Sequence, residues 1–195
     1  MFDLIAFDLD GTLVELNIPF DEIRRRLGIS GRFILESILS MDNEAERIRA
    51  LKILESYEIR CAENAKLLYF AREILDALKK AGIKRGVVTR NCRRSVEVIA
   101  KRFDLKFDFI ITREDAKPKP SPEPILLALR SFKVDGDKAL VVGDFVFDLI
   151  AGKNAGAKTA LIITDKNKRF AQSYLKYADY VFKSLKELAE FLGVI

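Results

Sequence analysis

The feature that most constrains this chain is a repeated alternation of short, unbroken apolar runs with longer helical patterns. Five runs stand out: Leu4-Ile5-Ala6-Phe7, Gly86-Val87-Val88-Thr89, Phe107-Asp108-Phe109-Ile110-Ile111, Ala139-Leu140-Val141-Val142-Gly143-Asp144 and Thr159-Ala160-Leu161-Ile162-Ile163. A strand with one wet face alternates polar and apolar residues. These runs do not alternate, so they read as strands buried on both faces of a parallel sheet. Between them lie helical segments. Residues 73–81 stop at Gly82, a helix-ending glycine. Residues 95–103 place Val96, Ile99 and Phe103 on one face, and residues 122–132 open on prolines and repeat Ile125, Leu126 and Leu129. Residues 146–155 end at Gly156, and Leu185, Leu188, Ala189 and Leu192 mark a last helix. The alternation predicts an α/β fold, a doubly wound, Rossmann-like parallel sheet with right-handed crossovers.

One stretch departs from this rhythm. From Glu15 to Leu67 the pattern is helical and offers no strand. Phe20, Ile23 and Leu27 form one stripe ending at Gly28; Phe33, Ile34, Ser37 and Ile38 form a second; Ile48, Leu51, Ile53 and Leu54 form a third. The expected organisation is a core domain of residues 1–14 and 68–195 with a helical cap, residues 15–67, inserted after the first strand. An insertion of this size cannot build a strong core alone, so it should lean on the sheet domain.

Composition removes several classes of function. With no histidine in the chain, imidazole-based triads and histidine zinc sites are excluded, and acid–base chemistry falls to carboxylates, lysine, tyrosine or cysteine. Cys61 and Cys92 are too few for a disulfide framework and lack metal-ligand spacing, so they read as reduced thiols. No apolar run approaches the roughly 20 residues that span a bilayer, and Met1-Phe2-Asp3 has no basic leader character. A cytoplasmic protein without a membrane or nucleic-acid partner is expected. The formal charge of +5 is spread among interspersed acids and bases, a solvated surface with at most a mild attraction for anionic ligands.

In open α/β sheets ligands bind beyond the carboxyl ends of the strands. Here the first strand ends in Asp8 and Asp10, the second in Thr89 and the fourth in Asp144, with Asp148 a helical turn later; the third leads to Lys117-Pro118-Lys119-Pro120. Clustered carboxylates repel one another unless a cation neutralises them, and hard oxygen ligands suit Mg²⁺, which shares its shell with phosphate oxygens. A carboxylate in such a site can attack phosphorus, while a hydroxyl and a lysine hold the transferring oxygens. A second acid must protonate the leaving alkoxide.

These residues also carry a family resemblance. Asp8-Leu9-Asp10-Gly11-Thr12-Leu13-Val14 resembles the DxDGT(L/V) first motif of the haloacid dehalogenase superfamily. Val87-Val88-Thr89 is similar to its second motif, Lys119-Pro120-Ser121-Pro122 to its KPxP third and Gly143-Asp144 through Asp148 to its GDxxxD fourth. Ala151-Gly152-Lys153-Asn154-Ala155-Gly156 is similar to the run that follows. The resemblance implies Asp8 as nucleophile and metal ligand, and Asp10 as general acid–base whose backbone carbonyl also meets Mg²⁺. It implies Thr89 and the backbone amide of Arg90 on the phosphoryl group, Lys119 neutralising it and steadying Asp8, Asp144 as a metal ligand and Asp148 as an outer or secondary one. An aspartate at position 10 separates phosphatases and phosphomutases from dehalogenases, phosphonatases and P-type ATPases. The helical insertion is similar to the superfamily's C1 caps, which close over small substrates.

The implied activity is Mg²⁺-dependent hydrolysis of a small phosphorylated metabolite, in the manner of phosphoglycolate phosphatase-like enzymes. A phosphomutase of the β-phosphoglucomutase kind shares every core residue but wants sugar-holding cap residues that are not evident here. A receiver-like signalling module would lack both the second acid and the cap. Plainer roles stand beside the sharper ones. Asp148 also suits a first-turn acid favoured by the helix dipole, Lys117 competes with Lys119, and Cys92 reads as a packed thiol. Arg24-Arg25-Arg26 reads as a solvated helix face, whereas the Arg90 side chain is expected to meet substrate or cap.

Overall fold

The computed structural model describes all residues, 1–195. Six parallel strands form one sheet: β1 (Leu4–Phe7), β4 (Lys84–Val88), β5 (Phe109–Ile111), β6 (Ala139–Gly143), β7 (Lys158–Ile162) and β8 (Tyr180–Phe182). Their spatial order is β5-β4-β1-β6-β7-β8, so the chain winds outward from β1 in one direction and then returns to wind in the other. The reversal puts β1 at the centre, between β4 and β6, where such folds open a ligand crevice. Helices α4 (Ala71–Lys80), α5 (Arg93–Arg102), α6 (Glu123–Phe132), α7 (Val146–Asn154), α8 (Lys168–Tyr174) and α9 (Leu185–Phe191) flank the sheet.

All four β1 residues are fully buried, and alternate ones serve opposite faces. Ile5 and Phe7 belong to one apolar cluster with Leu140, Val142 and Ile74; Leu4 and Ala6 belong to another with Val141, Ile125 and Leu129. Truncating a large aliphatic side chain in either cluster to alanine costs about 2–5 kcal/mol. The helix ends follow local chemistry. After α4, Gly82 takes φ +75°, and Lys133 (φ +54°) closes α6 in the same left-handed region.

The segment after β1 forms α1 (Phe20–Leu27), α2 (Ile34–Leu39) and α3 (Glu44–Glu63). Asn43 caps α3 by accepting the Glu46 N–H at 3.1 Å. Ile23, Ile34, Leu35, Ile38, Ala50, Leu54 and Tyr57 from these helices share one cluster with Ile5, Phe7 and Val96 of the sheet layer. The inserted helices thus have no core separate from that face.

Two parts of the architecture differ from the sequence reading. Val14–Glu15 (β2) and Lys66–Leu67 (β3) pair as an antiparallel ribbon at the two ends of the insertion, where no strand is expected. A two-residue ladder is too short to show periodicity. At the far edge, β8 and α8 add a sixth strand and a helix. β8 has three residues, one of them exposed, and so lacks the unbroken apolar run that marks a buried strand. No helix is long and apolar enough to cross a membrane.

Candidate active site

The sheet register aligns the chemistry. Phe7 pairs with Val87 on one side and Val142 on the other, so the strands run out together. Asp8, Thr89 and Asp144 therefore emerge side by side on the carboxyl edge. The Asp8 N–H donates to the Val142 carbonyl (2.8 Å) and the Thr89 N–H to the Ile111 carbonyl (2.9 Å). Two glycines make room for the acids. Gly11 sits at φ +86°, and a Cβ there would collide with the Asp144 carboxylate; a Cβ at Gly143 would collide with Asp148.

Lys119 lies at the centre of the floor. Its buried ammonium donates to Asp8 Oδ1 (2.7 Å), to Asp148 Oδ1 (2.6 Å) and to the Val88 carbonyl (2.5 Å), so all three of its protons are used. Lys117, its competitor in the loop, is exposed. Asp148 uses its second oxygen, Oδ2, to accept the Phe145 N–H at the start of α7 (3.1 Å). Asp148 thus caps the helix with one oxygen and meets Lys119 with the other. One carboxylate oxygen each from Asp8, Asp144 and Asp148 lie within 4.8 Å of one another. Asp10 stands apart from that trio, with Oδ1 accepting the Leu16 N–H at 2.9 Å. Thr89 Oγ1 accepts the Asn91 N–H (3.2 Å), which leaves the hydroxyl proton free to donate.

Three acids against one lysine leave the floor short of positive charge. Burial is the largest influence on Asp8, and with Asp148 it pushes the carboxyl up to about 7 against the pull of Lys119. Burial also raises Asp144 well above the ordinary range, helped by Asp8, Asp148 and Asp10. Asp10 is raised by burial despite its bond from Leu16. Burial disfavours the Lys119 ammonium, yet Asp148 and Asp8 together hold its pKa above the usual value. Hard oxygens converging in an acid-rich pocket are the donor set that Mg²⁺ takes. The residues fit that ion, with Asp8, Asp144 and Asp148 as the side-chain donors in reach.

The floor opens into a cavity of about 580 Å³. Its wall includes Phe20, Arg24, Phe33 and Leu54 of the insertion, together with Phe147 and Arg169 of the sheet layer. The arginine run of α1 divides by role. Arg24 lines the cavity while bound to Asp21 (2.6 Å) and to the Arg32 carbonyl (3.1 Å), whereas Arg25 and Arg26 are exposed, as expected of a solvated face. The Arg90 side chain turns to the insertion: it pairs with Glu36 of α2 (2.6 Å), donates to the Lys119 carbonyl (2.7 Å) and lies 4.9 Å over the Phe147 ring. Cys92 is buried, and its Sγ accepts the Ser95 N–H to cap α5.

Three polar side chains at the site go unmentioned in the sequence reading. Asn167 donates to the carbonyls of Asp144 (2.7 Å) and Ile162 (2.8 Å), tying down the main chain at Asp144. No local pattern marks it. Glu58 and Arg113 form a buried ion pair at 2.5 Å. For Glu58 a signal exists: it follows Leu51 and Leu54 by seven and four residues, so an acid occupies an apolar helix stripe.

An open parallel sheet with an acid-rich, lysine-braced crevice at its switch point defines an α/β protein of the doubly wound, Rossmann-like class. The family model for haloacid dehalogenase-like hydrolases matches residues 14–162, beginning just after the Asp8–Thr12 segment. The chain belongs to that family. Pyrophosphatase PpaX of Bacillus velezensis is 40% identical over 209 residues, covering 97% of this chain and 96% of that protein. The N-acetylmuramic acid 6-phosphate phosphatase of Pseudomonas putida is 32% identical over 181 residues, 81% of each chain. Among solved structures, a hydrolase from Pseudomonas syringae superposes with a TM-score of 0.82 over 99% of both chains at 22% identity, a likeness of fold.

Proposed function

We propose that the protein hydrolyses a small, anionic phosphate monoester with Mg²⁺, through an aspartyl-phosphate on Asp8. Phosphatase is the activity class of this chain, the point at which its named relatives and its own residues meet. The observation that carries the finer reading is the lysine bridge from Asp8 to Asp148 with Asp144 in reach. It offers an attacking carboxylate, a cation beside it and an oxygen set for a metal.

In this reading Asp8 attacks phosphorus as the P–O ester bond breaks, and Asp10 gives its proton to the leaving alkoxide. The raised pKa of Asp10 supports that duty, since it keeps a proton available closer to neutral pH than an ordinary aspartate would. Asp10 then takes a proton from water as that water displaces Asp8 from phosphorus, releasing inorganic phosphate. The Thr89 hydroxyl and the Arg90 N–H hold phosphoryl oxygens, and the Lys119 ammonium, its protons committed to Asp8, Asp148 and the Val88 carbonyl, offsets their charge. Asp8, Asp144, Asp148 and the Asp10 carbonyl would hold Mg²⁺, which would supply charge neutralisation at the phosphoryl group. Helices α1–α3 act as the cap. Arg24, Arg32 and Arg169 at the cavity wall favour a leaving group that is itself anionic, as in phosphoglycolate. The reading includes a cytoplasmic setting, in keeping with two free thiols.

The test is phosphate release from a panel containing phosphoglycolate, pyrophosphate, N-acetylmuramic acid 6-phosphate and p-nitrophenyl phosphate, with Mg²⁺ and with chelator. Release is expected only with Mg²⁺, and Asp8→Asn should lower it by ~10⁴-fold or more, as loss of a nucleophile does. Folded protein that releases no phosphate from any member with Mg²⁺ present would end this reading.

A further inference from the structure

Glu58 and Arg113 lie outside every motif discussed above, yet they form a closed circuit with the loop that carries Thr89. Glu58 projects from α3 of the insertion and is 3% exposed. Its Oε2 accepts the Cys92 N–H at 2.9 Å, and its Oε1 pairs with Arg113 Nη1 at 2.5 Å. The same Arg113 nitrogen donates to the Arg90 carbonyl at 3.1 Å. That carbonyl and the Asn91 N–H belong to one planar peptide. Arg113 holds its oxygen side; the N–H side donates to Thr89 Oγ1 at 3.2 Å. A rotation of this peptide would therefore release the Thr89 hydroxyl. The neighbouring peptide is held by Glu58 through the Cys92 N–H.

We propose that Glu58 is a positioning residue: acting through Arg113 and the Arg90–Asn91 peptide, it aims the Thr89 hydroxyl at the phosphoryl group. The inference rests on the phosphatase reading for the duty of Thr89, but the circuit itself is independent of it. The charges explain why both partners are needed. A lone buried carboxylate lining a phosphate-binding cavity would repel its ligand, and Arg113 cancels it. A neutral acceptor at position 58 would hold the Cys92 N–H but would grip the guanidinium weakly, since bonds between ions are about twice as strong as neutral ones. The insertion therefore supports the phosphate loop from above as well as walling the cavity.

The experiment is a double-mutant cycle on p-nitrophenyl phosphate hydrolysis with Mg²⁺, pairing Glu58→Gln with Thr89→Val, with melting temperatures as a control on folding. Glu58→Gln alone should lower kcat/KM about tenfold, because small misplacements of a positioned group carry losses of that order or larger. In the Thr89→Val background the same change should cost less than about twofold, the non-additivity expected of residues acting as one unit. If Glu58→Gln does not fold, Arg113→Lys takes its place, since it keeps the charge and withdraws the fork from the Arg90 carbonyl. Equal losses in both backgrounds, or no loss in a folded Glu58→Gln enzyme, overturn the assignment while leaving the phosphatase reading intact. A folded wild-type protein that releases no phosphate overturns both.

Discussion

The floor of the site and its wall on the insertion side are both built from ion pairs, but they balance charge differently. On the floor, Asp8 and Asp148 share one lysine while Asp144 stands beside them without an ion-pair partner, and burial keeps Asp8 and Asp144 from ionising at their ordinary pH. In the wall, Glu58 meets Arg113 and Glu36 meets Arg90, one to one. A floor left short of cations is built to gain from one. The two balanced pairs gain nothing from a metal and serve to hold backbone. Functional charge and structural charge are thus separable here by simple counting.

The sharpest break in this comparison is removal of the floor's only cation. Lys119→Met should destabilise the metal-free protein at pH 7 by about 3 kcal/mol or more, since it strands buried acids, and chemical denaturation measures it. A loss below about 1 kcal/mol would mean that the acids do not depend on the lysine. Next comes Asp144→Asn, which relieves the crowding. It should raise the melting temperature of the metal-free protein by about 2–4 °C, on a gain of about 1 kcal/mol, while removing the stabilisation expected on adding Mg²⁺. A variant less stable than wild type without metal would show that the acids do not repel in the way supposed.

The pH dependence has a definite sign. Asp8 holds its proton up to about 7 in the folded state, against about 3.8 for the free side chain, and Asp144 is shifted the same way. Between those values the folded protein binds more protons than the unfolded chain, so its stability falls as pH rises. Without metal, unfolding at pH 8 should need less denaturant than at pH 5, and Mg²⁺ should shrink the difference. A flat profile without metal would contradict the shifts. The smallest effect belongs to the exposed end of the wall. The Glu36 side chain of the Arg90 pair is 41% exposed, so Glu36→Gln should cost under about 1 kcal/mol in denaturation. A loss comparable to that of Lys119→Met would erase the distinction between floor and wall.

Much of the floor is legible in the residues themselves. Asp8, Asp10, Thr89 and Asp144 each follow an apolar run, so the pattern that makes the strand also delivers the group to the sheet edge. Lys119 is preferable to Lys117 only through the motif, and it is burial against Asp8 and Asp148 that separates them physically. The wall is far less legible. Arg24 and its two neighbours share one helix and one composition, yet only Arg24 lines the cavity. Asn167 has no local signature, and Glu58 only the faint one of an acid on an apolar stripe.

The sequence alone determined the alternation of strands and helices, the acids at the strand ends and the existence of a helical insertion. All of these follow from patterns spanning a few residues, because period, caps and turns are local physics. Tertiary structure alone decided the partners. Lys119 reaches Asp8 across 111 positions and Arg113 reaches Glu58 across 55, and the ribbon of β2 and β3 closes only because the ends of the insertion meet. Such pairs are chosen by where the sheet and helices bring chain segments together, and a buried charge acquires its meaning from the one neighbour that neutralises it.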